Sequence, residues 1–376
     1  MLKSNLYKSL GNRQPATPAR RLRRQRQGKR LIGRAVPLGR GRRRRENDRM
    51  RRRAFIATLA ASTVAPTLGA CAPPQSLQGK PIKITLLGTG TPAPSLKRQG
   101  SGYLFEVGND LIVMDHGPGA HHRLIESGHR AVDVGHAFFS HLHYDHCMDY
   151  GRLVLQRWDQ GADRVPELKV YGPSPIARMT ELLFGDDGVY GPDIRARVEH
   201  QSSIDVFQAR GGTPPRKRPA PQVKEVHAGE VVEGNGWKVT VGRAAHVQPQ
   251  LECLAFRLDG DGGSVCYSGD SGISDDLVKL ARGCDVLIQM NHHFSGTEPT
   301  ASYRAAVGSH ADNAEIAKRA GVKTLVLTHF LTQIDQPGVR EQIIHEIQKV
   351  FEGKVIWGED LMQLSLTGTG LTGIGV

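Results

Sequence analysis

Between Ser140 and Tyr150 the chain reads SHLHYDHCMDY, directly after the apolar run HAFFS. Four ligand-type side chains, His141, His143, Asp145 and His146, fall within six residues, where a hydrophobic strand stops and a helix is expected to begin. Alternate residues of an extended segment point the same way, so His141 and His143 address one point, while Asp145 and His146 on the turn beyond reach a second. Imidazole and carboxylate suit zinc, and also manganese or iron, so two adjacent cation sites follow. Four groups do not complete two coordination shells. Further donors must come from distant segments, and the fold has to bring those segments to this point.

Three apolar runs end on a ligand-type residue: VTVGRAAH on His246, SVCYSGD on Asp270 and TLVLTH on His329. Strands that end around one site are a common way for a rigid scaffold to present function. The remaining pattern fits. Short aliphatic or β-branched runs (IKITLLG, SGYLFEVG, DLIVMDHG, HAFFS, ELKVYG, WKVTVGRA, CLAFRLD, GSVCYSG, DVLIQM, TLVLTHF, KVIWG) alternate with helical stretches (119–127, MDYGRLVLQRW, PIARMTELLFG, DDLVKLA, ADNAEIAKRAG, REQIIHEIQKVF), the signature of layered α/β structure. Residues 185–222, with GDDGVYGPD and RGGTPPRKRPAPQ, read as irregular insertion chemistry that shapes a pocket mouth.

The formal charge of +13 over 376 residues suggests a nucleic-acid binder until its distribution is considered. Residues 1–53 carry 20 Lys and Arg against 2 acids, leaving 30 bases against 35 acids in the remainder. A mildly acidic body lacks the broad basic footprint of phosphate-backbone binding. Residues 1–49 read as a disordered Arg-rich segment, upstream of the true start, and 50–71 as a twin-arginine lipoprotein-type export signal. In MRRRAFIATLAASTVAPTLGAC, Arg52-Arg53-Ala54-Phe55-Ile56 resembles the twin-arginine core, and Leu68-Gly69-Ala70-Cys71 a lipoprotein cleavage box. The apolar part is too short and polar to span a bilayer. A linker over 72–79 then leads to one domain, 80–376. Lipidated Cys71 is expected to anchor an exported protein at the membrane. The other cysteines, Cys147, Cys253, Cys266 and Cys284, form no C-x-x-C and read as buried free thiols.

With SHLHYDH, AAH, YSGD and LTHF in that order, the chain from about Lys80 to Leu366 resembles the metallo-β-lactamase superfamily of metal-dependent hydrolases. The resemblance implies an αββα sandwich, two mixed β-sheets flanked by helices, with a dinuclear site on its edge. It implies that His141, His143 and His246 hold one metal, that Asp145, His146 and His329 hold the other, and that Asp270 bridges. Two divalent ions, zinc foremost, would activate a water, with Asp145 and Asp270 orienting it and moving its proton. LLGTGTPAPS, MDHGPG and SHADNAEIAKRAGVKTLVLTHF resemble the ribonuclease Z and arylsulfatase-like branch, in which Asp115 of MDHG would play a supporting role.

Ribonuclease Z typically pairs a glutamate at a strand end with a histidine at a following helix start. Met290 stands about where that acid would fall, while His310 matches the histidine. No clear RNA-gripping arm is seen. The primary expectation is therefore hydrolysis of a small sulfate or phosphate ester, with His310, His292 and His293 as candidates to contact substrate or donate a proton. A ribonuclease Z-like phosphodiesterase acting on nucleic acid is the first alternative and a non-catalytic, metal-stabilised binding module the second. The oligomeric state is left open, a homodimer included.

Overall fold

The computed structural model describes residues 79–374. The stretches 1–49 and 50–71, Cys71 included, and nearly all of the expected linker lie outside the described residues.

Two β-sheets face each other between two helical layers. The first sheet takes β1 (Ile82–Gly88), β2 (Gly102–Val107), β3 (Asp110–His116), β4 (Val134–Phe138), β5 (Lys169–Gly172) and β6 (Gln222–Glu225). The second takes β7 (Val231–Gly234), β8 (Trp237–Arg243), β9 (Leu254–Gly260), β10 (Gly263–Tyr267), β11 (Val286–Met290), β12 (Thr324–Thr328) and β13 (Lys354–Trp357). A hairpin of β14 (Gln363–Thr367) and β15 (Gly370–Ile374) returns to the first, whose order is β15-β14-β1-β2-β3-β4-β5-β6. The helices are α1 (Ala120–Glu126), α2 (Tyr144–Cys147), α3 (Tyr150–Gly161), α4 (Ile176–Phe184), α5 (Gly191–Glu199), α6 (Gln201–Ala209), α7 (Asp275–Ala281), α8 (Ala301–Ala306), α9 (His310–Ala320) and α10 (Val339–Gln348).

Strand alternation builds the layers. In β2, Tyr103 and Phe105 enter the core between the sheets, while Leu104 joins the opposite face with Leu124 of α1 and Leu153 of α3. In β11, Val286 and Ile288 face the first sheet and Leu287 packs with Leu277 of α7, Ile316 of α9 and Ile343 of α10. Strands buried on both faces cannot be half polar, which is why these runs are apolar throughout. The expected αββα sandwich with two mixed sheets is what the chain forms.

Topology sets the site at one edge. β8 is antiparallel to β9, which is antiparallel to β10, and β10, β11 and β12 are mutually parallel. The segments leaving β8, β10 and β12 therefore emerge on the same side of the second sheet. They carry His246, Asp270 and His329.

Several expectations need correction. Residues 185–222 are not irregular, since α5 and α6 occupy much of the stretch and bury Ile194 and Phe207. Their apolar positions were too sparse among Gly and Pro for periodicity to stand out. Within the insertion, RGGTPPRKRPAPQ is held by packing and ion pairs. Arg216 is buried with its guanidinium 3.9 Å from the Trp158 ring, and Arg197, Arg210 and Arg216 all pair with Asp159. These contacts fix the insertion to α3 and do not involve the expected ligands. The helix foreseen over MDYGRLVLQRW begins at Tyr150, after the separate short α2. The strands β6, β7, β14 and β15 and the helix α8 had not been foreseen.

Phe256 is fully buried between the sheets, its ring 5.5 Å from that of Phe138. Phe256→Ala is expected to lower the unfolding free energy by about 3–5 kcal/mol, read from the denaturant midpoint. A loss below about 1 kcal/mol would contradict its place in the inter-sheet core.

Candidate metal centre

The seven expected ligands converge. His141 Nε2 lies 3.0 Å from His143 Nδ1, and His246 Nε2 lies 3.4 Å from the same atom. Asp270 completes this group, all four donor atoms falling within 4.8 Å of one another. Asp145, His146 and His329 form a second group, with Asp145 Oδ2 3.3 Å from His329 Nε2 and 3.5 Å from His146 Nε2. Asp270 touches both: its Oδ2 is 3.8 Å from His246 Nε2 and 3.3 Å from His329 Nε2, and its Oδ1 is 3.4 Å from His146 Nε2.

The outer ring nitrogens explain why the inner ones are presented as lone pairs. Ser140 Oγ donates to Asp115 Oδ2 at 2.7 Å and accepts from His141 Nδ1 at 3.0 Å. His146 Nδ1 donates to Asp115 Oδ2 at 2.7 Å, and His246 Nδ1 donates to the Ala306 carbonyl at 2.7 Å. Each outer bond fixes a tautomer and turns the corresponding Nε2 inward. Asp115 also accepts from the Ser140 backbone N–H at 2.7 Å and the Tyr267 hydroxyl at 2.6 Å. One buried carboxylate thus ties together strands of both sheets.

Two buried atoms, His146 Nε2 and Asp145 Oδ1, lack a hydrogen-bond partner. Leaving such groups unsatisfied in the interior is costly, whereas a cation between them would complete their shells. The donor set fits two borderline-hard divalent ions, three protein donors for each and a shared carboxylate. Electrostatics agree. Burial disfavours charge on His146, yet Asp270 and Asp115 outweigh it and raise the imidazole well above its ordinary value. Burial opposes ionisation of Asp270, yet His329 and His146 hold it well below the usual carboxylate range. Burial, reinforced by His146, pushes His141 well below 6.5.

Backbone strain sits at the same place. Asp115 and His329 adopt left-handed φ angles of 56° and 58°, uncommon for residues other than glycine and tolerated where surrounding bonds over-determine them. Gly269, beside Asp270, has φ 56°, and a Cβ there would meet the Leu254 carbonyl at 2.7 Å and Ser140 Cβ at 2.8 Å. Only glycine permits that approach.

The other expected residues lie around the cluster rather than in it. His310 opens α9 and is buried; its Nδ1 accepts from the Ser295 N–H at 3.1 Å and its ring packs on Phe294. It is not among the seven converging side chains. His292 stacks on His329 with ring centroids 5.4 Å apart, and burial lowers it to about 3, so it is neutral near pH 7. Cys147 is buried, donates to the His143 carbonyl at 3.2 Å and is pushed up to about 12 by burial, which makes it a packing residue. Met290 is fully buried, and its sulfur accepts from the Ser271 N–H. The partners Ser140, Tyr267 and Ala306 were not singled out from the sequence. Ser140 and Tyr267 do flank the ligand motifs, but a hydroxyl beside a motif carries no signal of its bond across the sheet interface.

Comparison with known proteins agrees with this geometry. Residues 111–330 match a family described as the beta-lactamase superfamily domain. Ribonuclease Z of Mycobacterium bovis is 30% identical over 292 residues, covering 76% of this chain and 98% of that protein. The metallo-beta-lactamase fold protein YhfI from Bacillus subtilis superposes with a TM-score of 0.58 at 20% identity, over 76% of this chain and all of that one. Human tRNase Z, short form, gives 0.53 at 19% identity, over 76% and 99% of the two chains. The likeness to these two structures is one of fold.

Asp115→Ala would leave the buried His146 imidazole and the Tyr267 and Ser140 hydroxyls without their acceptor. The expected loss is about 3–5 kcal/mol of stability, measured by chemical denaturation. Asp115→Asn keeps the volume, and about 10–100-fold weaker zinc binding is expected from competition with a chromogenic chelator. Unchanged stability in the first variant and unchanged affinity in the second would contradict the role assigned to Asp115.

Proposed function

Because this chain belongs to the metallo-β-lactamase superfamily of hydrolases, we propose that it cleaves phosphodiester bonds with two divalent cations held by the seven clustered donors. The observation that carries the reading is the convergence of donors from both sheets, with His146 Nε2 and Asp145 Oδ1 buried and unpartnered. His141 Nε2, His143 Nδ1 and His246 Nε2 would hold one ion, Asp145, His146 and His329 the other, with Asp270 between them. Such ions, zinc in the first instance, supply a water of lowered pKa and positive charge for the attacked and leaving oxygens. Asp115 and Ser140 keep the imidazoles aimed, so no reorganisation is needed at the moment of reaction. Asp145 and Asp270, the two carboxylates of the donor cluster, would orient the attacking water and take its proton.

The relatives named ribonuclease Z favour a phosphodiester over the sulfate ester foreseen from the sequence, and make the phosphodiester backbone of RNA a substrate class to test. Export and lipid attachment at Cys71 remain part of the proposal, resting on the sequence motif alone.

With zinc loaded, hydrolysis of bis(4-nitrophenyl) phosphate and shortening of a 3′-extended RNA are the readouts, with a sulfate ester as comparison. Chelation is expected to abolish activity and re-addition of zinc to restore it, and Asp270→Asn to lower kcat by about 10²–10⁴-fold. Activity that survives complete metal removal would overturn the mechanism. Since His146 is held well above its ordinary value, cation uptake near neutral pH displaces a proton. Zinc affinity is therefore expected to rise with pH through the neutral range and above it, as His146 releases its proton. Calorimetry in buffers of different ionisation enthalpy should register proton release, and a buffer-independent enthalpy would contradict it.

A further inference from the structure

We propose that a pocket beside the donor cluster takes a flat, uncharged aromatic group carried on the scissile phosphate. This deepens the phosphodiesterase reading and rests on it. The pocket, about 600 Å³, is walled by Phe294, Pro299, Tyr303, Leu331, Ile334 and Val339, with His293 at its side. It adjoins the cluster through a chain of rings. Tyr303 lies 6.0 Å from His292, which stacks on His329 at 5.4 Å, and Leu331 follows His329 by two residues. A group attached to a phosphate held at the cluster would thus find an apolar wall next to it.

Two further observations define the occupant. The lining includes no Lys or Arg, so it offers nothing to a run of backbone phosphates, which seeks cationic side chains. Aromatic and branched apolar walls of this volume suit a ring system stacked on Tyr303 or Phe294. His293 is only 5% exposed, yet neither of its ring nitrogens has a hydrogen-bond partner. The nearest acid, Glu298, places Oε1 3.3 Å from His293 Nε2 without hydrogen-bond alignment. Both ring nitrogens are closed off from solvent, so the apolar walls and not His293 carry the recognition. The shared chemistry is a flat aromatic ring, and both an aryl ester and a nucleobase have it.

The experiment is calorimetric titration of the full-length, zinc-loaded protein with 2-naphthol and, separately, with adenosine. The comparison proteins are Val339→Phe, which fills the pocket, and Tyr303→Ala, which removes a wall on the short α8. Saturable binding by the wild type that weakens at least tenfold in either folded variant supports the pocket. If naphthol alone shows this behaviour, the pocket holds an aryl ester group; if adenosine shows it as well, the group is a nucleobase. Absence of saturable binding of both probes, binding equal in wild type and variants, or a dimer that seals the pocket with a second copy would overturn it. A second arm measures KM for bis(4-nitrophenyl) phosphate in the wild type and in Val339→Phe. A KM at least tenfold higher in the folded variant supports the pocket, and equal KM values overturn it while leaving phosphodiester hydrolysis standing. Probe binding sensitive to Val339, with no hydrolysis of any phosphodiester, supports the pocket and overturns the phosphodiesterase reading instead.

Discussion

Lone pairs facing one another inside a protein repel, and the edge of this sandwich gathers seven side chains whose donor atoms do so. His141 and His246 have given their outer N–H groups to Ser140 and Ala306, and His146 has given its own to Asp115. The inner nitrogens of His146 and His246 meet the carboxylates of Asp145 and Asp270, and that of His141 meets His143 Nδ1. Positive charge at the centre is what makes this arrangement tenable, supplied by protons on imidazole or by cations. The Asp115 carboxylate couples that requirement to the fold, because its partners Ser140 and Tyr267 follow β4 and end β10 in different sheets.

The chemistry was legible where it coincided with a strand end. HAFFS followed by SHLHYDH, and the runs ending on His246, Asp270 and His329, showed donors at the termini of buried strands, and the sandwich brings those termini to one edge. The layers were legible for the same reason, since Tyr103, Phe105, Val286 and Ile288 belong to runs too apolar to lie anywhere but between sheets. Local pattern failed where the stabilising contact is distant. α5 and α6 hold their place through Phe207, Ile194 and the arginines around Asp159, none of which makes a periodic stripe. β14 matters because it pairs with β1, some 280 residues earlier, and nothing near Gln363 announces that partner. His310 stands where the family pattern puts a histidine, and in the structure it opens α9 beside Ser295 and Phe294, outside the seven-donor group.

In the proposed reading, specificity and catalysis rest on different kinds of surface. The donor cluster depends on rigid strand ends and on bonds that leave each imidazole one orientation. The proposed neighbouring pocket is formed by the loop after β11, by α8, by the loop after β12 and by the start of α10, elements outside the sheets. Its walls carry no Lys or Arg. In the proposed reading, a centre that would activate water is joined to a neighbour that would select by the shape of its apolar walls.

The central claim is that these seven donors hold a pair of ions. Native mass spectrometry of the purified protein, exchanged into a volatile buffer with stoichiometric zinc, counts them directly. The account predicts two ions per chain in the wild type, one in His143→Ala, and retention of the folded charge-state distribution in both. A wild-type chain that binds none or only one, or a His143→Ala chain that still binds two with equal affinity, would contradict it.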